Sequence, residues 1–247
     1  MAALPEHAKV VVIGQGGIVG ASVVHHLIEE GWDDIVGLEK SAIPTDIGST
    51  SHASDFCYMT SHDKLNVFTS NYSREFYKKR GNYIQIGGME VARKDDDERM
   101  LELIRKVGSG KAFGTNAYMI SAAEAKEKFP LLEEDQIQGA MWDPDAGLVT
   151  PRSQKVAGDL VDEAVAGGKL KAFAYTPANK ILVEDGVAVG VETPKGTIMA
   201  DYIVLCAGIW GSLISDTANV KLPLMPLEHP LLLSLIHISE PTRHRRI

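Results

Sequence analysis

The chain has 247 residues, enough for one large domain or two modest ones. Its formal charge of −8, with no long basic run in the body, argues against a nucleic-acid partner, and no apolar run is long enough to span a bilayer. Two widely separated cysteines, Cys57 and Cys206, argue against a disulfide framework or a zinc site, and the short polar stretch before residue 9 does not read as a secretory signal.

Residues 9–13 (KVVVI) are a β-branched apolar run ending in glycines, which predicts a buried strand of a parallel sheet. The turn 14–20 (GQGGIVG) opens a helix over 21–30, with Val19, Val23 and Leu27 on one stripe and Gly31 as its stop. Residues 34–39 (DIVGLE) are a second short strand, which completes a βαβ unit. Residues 43–63 are rich in Ser and Thr and read as a loop. A helix is predicted over 65–79, and strands broken at Gly87 and Gly88 over 83–93. The acidic run 95–98 is the solvated start of a further helix. Ser121 and Glu124 have capping-box spacing before a short helix that stops at Phe129 and Pro130. Strand and turn return over 136–150. Pro151 is expected at the first position of a helix that buries Val156, Leu160, Val161, Ala164 and Val165. Turn signals at 184–186 and 194–196 predict a small antiparallel meander, and 202–206 (YIVLC) a buried strand.

The glycine turn carries the first chemical signal. A strand that opens into a helix through glycines lets backbone N–H groups approach a pyrophosphate. Gly14, Gly16 or Gly17, and Gly20 give a turn one residue longer than the usual dinucleotide pattern. Glu39, at the end of the second strand, suits a ribose 2′-hydroxyl and favours FAD or NAD over NADP. Lys40 follows it. An ordinary glycine-rich turn is the bland alternative.

Gly48-Ser49-Thr50-Ser51-His52-Ala53 resembles the G-S-T-x-H-A segment of the dimethylglycine oxidase and dehydrogenase, sarcosine dehydrogenase group of FAD-dependent oxidoreductases. In that family the histidine, here His52, is joined through a ring nitrogen to the flavin 8α-methyl carbon, while Ser49 and Thr50 match positions that line the cofactor. The family often follows His-Ala with Pro-Gly or Ala-Gly; this chain has Ser54-Asp55, and Asp55 is the residue that could keep the imidazole protonated. The resemblance continues at residues 86–92, 129–132 and 142–147. Cys206-Ala207-Gly208-Ile209-Trp210 is similar to a C-A-G-x-W strand end that approaches the flavin. His229 falls where the family has a histidine near the substrate carboxylate, although Pro230 replaces the usual Gln. His25, His26 and Trp142 read as packing residues, and His62 as a loop residue.

The resemblance implies an α/β fold: a Rossmann-like, glutathione-reductase-like FAD-binding domain with an inserted mixed-sheet substrate domain, truncated. The expected division is FAD-binding core over 8–80, inserted region over 81–149, and core again over 150–232. Residues 233–243 (LSLIHISEPTR) match, letter for letter, the translation of a transposase sequencing adapter, so 233–247 are expected to be foreign to the protein. Removing the three arginines and one glutamate there takes the formal charge from −8 to −10. The implied reaction is oxidation of an N-methyl amine or amino acid such as dimethylglycine or sarcosine, with oxygen or another flavoprotein as electron acceptor, no nucleic-acid or membrane partner, and a cytoplasmic or mitochondrial-matrix location. Two other readings stay open: a noncovalent FAD-dependent amino-acid oxidase or dehydrogenase, and an inactive FAD-binding fragment. An NAD-dependent dehydrogenase is more distant, because His52 and the C-A-G-x-W strand end speak against it.

Overall fold

The computed structural model describes residues 3–227. The chain opens with β1 (His7–Ile13), turns into α1 (Ile18–Glu29) and returns in β2 (Ile35–Leu38). A one-turn helix α2 (Ser49–His52) and a short strand β3 (Phe56–Cys57) lead to α3 (Lys64–Lys79), β4 (Tyr83–Gln85), β5 (Gly88–Arg93), α4 (Asp97–Ala112), β6 (Tyr118–Ile120), α5 (Ala122–Lys128), β7 (Ile137–Asp143) and β8 (Gly147–Val149). Helix α6 (Ser153–Ala166) precedes β9 (Leu170–Phe173), β10 (Lys180–Glu184), β11 (Val187–Thr193), β12 (Gly196–Leu205) and α7 (Gly211–Ser215).

The central sheet has the order β10-β11-β12-β1-β2-β9. Strands β12, β1, β2 and β9 are parallel, and β10, β11 and β12 form the antiparallel meander. Strand β12 is shared: its first half pairs with β11, and its second half runs alongside β1 from Met199 opposite His7 to Leu205 opposite Ile13. The period-2 alternation of a strand explains why β1 is apolar throughout. Val10 and Val12 face the layer of α1 and α6, where Val24, Val156 and Leu160 are buried. Val11 and Ile13 face the opposite side, with Val36, Ile181, Val191 and Ile198. Each such fully buried side chain stabilises the fold by about 1.5–3 kcal/mol.

Two smaller sheets, β3-β8-β4 and β5-β7-β6, form outside the central sheet. Met141 of β7 packs with Leu103 and Val107 of α4, whose N-cap is Asp96. The capping box at Ser121 and Glu124 forms as the spacing predicts. Gly87 has φ +76°, and a Cβ there would lie 2.1 Å from the Trp142 ring, so the strand breaks at a place only glycine fits. The chain is therefore an α/β protein with a parallel core and a second region of mixed composition. No helix among the described residues is long and apolar enough to cross a membrane.

Several expectations need correcting. Val19 is 62% exposed, whereas Val23 and Leu27 pack partly buried against the core; the fully buried positions of α1 are Gly20, Ala21 and Val24. Pro151 is not the first residue of α6; the helix begins at Ser153 with Arg152 as N-cap, and Val165 is exposed. The loop predicted over 43–63 contains α2 and β3, and β3 pairs with β8 outside the central sheet. Strand β9 is missing from the sequence reading. The tail 233–247 and His229 lie outside the described residues.

Candidate cofactor site

The turn between β1 and α1 has three glycines at intervals of three, each with its own physical requirement. Gly14 has φ +88°, and a Cβ on it would lie 2.5 Å from the Cys206 carbonyl oxygen at the end of β12. A Cβ on Gly20 would lie 2.3 Å from the Gly14 carbonyl oxygen, which sets how closely α1 packs on the turn. At Gly17, the N-cap of α1, the nearest atom would be Thr50 Oγ1 at 3.4 Å, an ordinary van der Waals distance, so a side chain is not excluded there by packing. The extra residue is absorbed by Gln15 and Gly16. Gln15 is fully buried beside Gly37 of β2, and neither side-chain amide atom has a hydrogen-bond partner among the described residues. Gly16 lies against Glu39.

Glu39 is 6% exposed and sits just past β2. Its Oε2 accepts from the Gly16 N–H at 3.2 Å; its Oε1 accepts from the Ser41 N–H at 3.0 Å and the Ser41 hydroxyl at 3.1 Å. These bonds hold the carboxylate beside the glycine turn. The Lys40 ammonium lies 3.2 Å from the centroid of the Trp210 ring, a cation–π contact. Burial pushes the Lys40 amine below its usual value, and the nearby Glu39 charge partly opposes this.

The segment 48–55 closes another side. Gly17 offers no side chain to cap α1, and Thr50 Oγ1 accepts the Ile18 N–H at 3.0 Å in its stead. Two residues on, His52 Nδ1 lies 3.0 Å from the Gly48 carbonyl oxygen and 3.0 Å from Ser51 Oγ. A carbonyl only accepts, so in the neutral ring Nδ1 carries the hydrogen and Nε2 keeps the lone pair. Among the described residues, no hydrogen bond joins Asp55 to the imidazole. Its carboxylate is engaged with Ser153 and Arg152.

A cleft of about 240 Å³ opens at the C-terminal ends of β1, β2 and β12, where the strand order reverses around β1. Its polar edge includes Gly14, Gly17, Glu39, Ser49 and Thr50. Its walls include Val19, Ile209, Leu213 and Ile214, with Val19 and Leu213 more than 60% exposed. The volume is below the roughly 300–1,000 Å³ of sites that enclose a whole ligand, so a dinucleotide would extend beyond it.

A family model described as FAD dependent oxidoreductase matches residues 9–244. The chain belongs to the FAD-dependent oxidoreductase family. Human mitochondrial sarcosine dehydrogenase is 31% identical over 92% of this chain, and mouse mitochondrial pyruvate dehydrogenase phosphatase regulatory subunit is 32% identical over 94%. The chain spans about a quarter of these relatives' length, 25% and 26% respectively. Among solved structures, L-proline dehydrogenase from P. horikoshii superposes with a TM-score of 0.77 at 29% identity, over 88% of this chain and 57% of that one.

In this FAD-dependent oxidoreductase, the cleft brings together Gly14, Gly17, Glu39 and Lys40 from the first βαβ unit, Ser49 and Thr50 from α2, and Ala207, Gly208 and Trp210 after β12. Gly16 and Gly20 support it without lining it. His52 is exposed and does not line the cleft; it lies on the helical turn that Ser49 and Thr50 begin. The residues fit a dinucleotide: open backbone at Gly17 beside the N-terminus of α1, and a buried acid at the neighbouring strand end. Sequence reasoning missed the loop Thr176, Pro177 and Ala178, which lines the opposite side. The signal was present, since a short apolar run after a helix stopped by Gly167 and Gly168 is where a parallel strand must follow. Gly48, the first residue of the G-S-T-x-H-A segment, lines the cleft as well, and so does Thr45, which was not singled out because its segment was read as a loop.

Proposed function

We propose that this family member oxidises an N-methyl amine or N-methyl amino acid of the sarcosine or dimethylglycine type, with FAD lying across the cleft. The observation that carries the reading is the convergence of the Gly14-Gly17-Gly20 turn and buried Glu39 on one cleft. It occurs in a chain related along most of its length to proteins named sarcosine dehydrogenase, dimethylglycine dehydrogenase and 4-methylaminobutanoate oxidase (formaldehyde-forming). FAD would supply the hydride acceptor. The chain's own groups bind and orient. The α1 N-terminus at Gly17 faces the pyrophosphate, Glu39 accepts from the ribose, and Ala207 and Gly208 let the backbone come close. Lys40 and Trp210 flank the same cleft. His52 Nε2, left with its lone pair by the Nδ1 contact to Gly48, is the attachment atom for a covalent flavin. Oxygen or another flavoprotein takes the electrons, in the mitochondrial matrix or the cytoplasm.

The test is flavin bleaching. Purified protein loaded with FAD is mixed anaerobically with sarcosine, dimethylglycine and 4-methylaminobutanoate, and flavin absorbance is followed with formaldehyde release on readmission of air. Bleaching by at least one of these supports the reading. Bound flavin that none of them reduces refutes it, and favours a flavin-binding regulatory chain, the reading suggested by the relative named as a phosphatase regulatory subunit.

A further inference from the structure

The helical turn α2 has no buried residue, and four residues are far too few for a helix to persist on propensity alone. What holds it must be polar. Thr50 fastens its start to α1 through the Ile18 N–H. Its far end, where His52 sits, is fastened by two residues outside it. Arg152 Nη2 donates to the Ser51 carbonyl at 3.1 Å and to the Ala53 carbonyl at 3.4 Å, so one guanidinium holds the carbonyls of the two residues that flank His52. Arg152 Nε donates to Asp55 Oδ2 at 3.2 Å. Asp55 Oδ1 accepts the Ser153 N–H at 2.8 Å and the Ser153 hydroxyl. Ser153 opens α6, whose Val156, Ala157 and Leu160 are buried in the core beneath the central sheet. The second anchor is thus a rigid element.

Asp55 has φ +62°, a left-handed conformation that glycine adopts freely and Asp or Asn tolerates. An aspartate at this place keeps the turn and adds a carboxylate. That carboxylate meets a helix N-terminus, where negative charge is favoured.

We propose that Asp55 and Arg152 are positioning residues: they clamp α2 to the start of α6 and so fix where His52 Nε2 points. The proposal rests on the reading of His52 as the attachment residue. In the linkage step one C–H bond of the flavin 8α-methyl carbon and the imidazole Nδ1–H bond are broken, and a C–N bond to His52 Nε2 is made. Two protons leave to solvent, and two electrons pass to dioxygen or another two-electron acceptor. The rate of that step depends on holding the imidazole on line, and a displacement of about 1 Å in such an arrangement can cost a hundredfold. The clamp does not touch the glycine turn or Glu39, and the start of α2 keeps its own bond from Thr50 to the Ile18 N–H, so FAD affinity depends on the clamp far less than the linkage rate does.

The experiment adds FAD to flavin-free full chain in air and follows acid-stable flavin with time, alongside noncovalent FAD affinity and thermal melting. Arg152→Met and Asp55→Gly are expected to lower the labelling rate constant roughly tenfold or more, with FAD affinity within about threefold of wild type. Arg152→Lys, which keeps the charge but has one nitrogen where arginine uses Nε for Asp55 and Nη2 for the carbonyls, is expected between Arg152→Met and wild type. Unchanged rate constants in Arg152→Met and Asp55→Gly overturn the clamp. So does a fall only in the final amount of label, because that reports lost folded protein and not a misplaced ring. His52→Ala separates the two claims. No acid-stable flavin in that variant upholds the attachment reading whatever the clamp variants do, and wild-type label in it overturns both.

Discussion

Replacing Gly20 by alanine adds one methyl group where α1 meets the glycine turn. That methyl would lie 2.3 Å from the Gly14 carbonyl oxygen, 2.5 Å from the Gln15 Cα and 2.8 Å from the Gly14 carbonyl carbon. All three are backbone atoms, so no rotamer change relieves the overlap. The helix must back away from the turn by about 1 Å, and overpacking of this kind costs about 1–3 kcal/mol. Alanine is the better helix former by about 1 kcal/mol, which offsets part of that. The net loss is up to about 2 kcal/mol, which in a chain of this size lowers the melting temperature by up to roughly 8 °C. Moving α1 also moves the Gly17 N–H group away from where phosphate would sit. Losing one charge-assisted hydrogen bond weakens FAD roughly ten- to hundredfold. Thermal melting and flavin-fluorescence titration measure the two effects. Gly108, inside α4 with nothing within 4 Å of its added Cβ, is the matched control, and Gly108→Ala is expected to raise stability by up to about 1 kcal/mol. A Gly20→Ala protein that melts and binds FAD as wild type does would refute the assignment of this glycine to close helix–turn packing.

Gly17→Ala separates binding from folding: its Cβ meets nothing nearer than 3.4 Å, so melting should stay near wild type while FAD affinity falls because the methyl projects toward the cleft. Unchanged affinity there would mean the cofactor does not approach this turn. Glu39→Ala removes a buried carboxylate that organises Gly16 and Ser41, and titration should show FAD binding weakened roughly tenfold or more. Asp55→Asn tests a pH dependence. Burial opposes ionisation of Asp55, but the hydrogen bonds from Ser153 and Arg152 outweigh it and hold the carboxyl below its usual value. A depressed acid contributes stability above its unfolded pKa and loses it as pH falls through the folded one. Denaturant melts should therefore show a gap between wild type and Asp55→Asn that is full at neutral pH and closes below about pH 4; a gap that persists into strong acid would count against the ion pair.

The local chemistry of this protein could be read without coordinates. A β-branched run ending in glycines, a helix, and an acid at the next strand end dictate a βαβ unit, because each signal depends only on residues adjacent in sequence. The capping box at Ser121, the break at Gly87 and the meander turns follow for the same reason. The Ser49-Thr50-His52 segment was found by resemblance. What sequence could not decide is everything that depends on distant residues meeting. Which glycine of the Gly16-Gly17 pair faces the cleft is set by Glu39, twenty-odd residues on, which fills the space beside Gly16 and leaves Gly17 open. That Thr50 caps α1, and that Arg152 holds the carbonyls of the residues flanking His52 across about a hundred residues of chain, follow only once the intervening chain returns α6 beneath the central sheet. Asp55 shows the difference most clearly. As a neighbour in sequence it threatens the imidazole, but its left-handed backbone turns the carboxylate onto the N-terminus of α6, where hydrogen bonds from Ser153 and Arg152 occupy it.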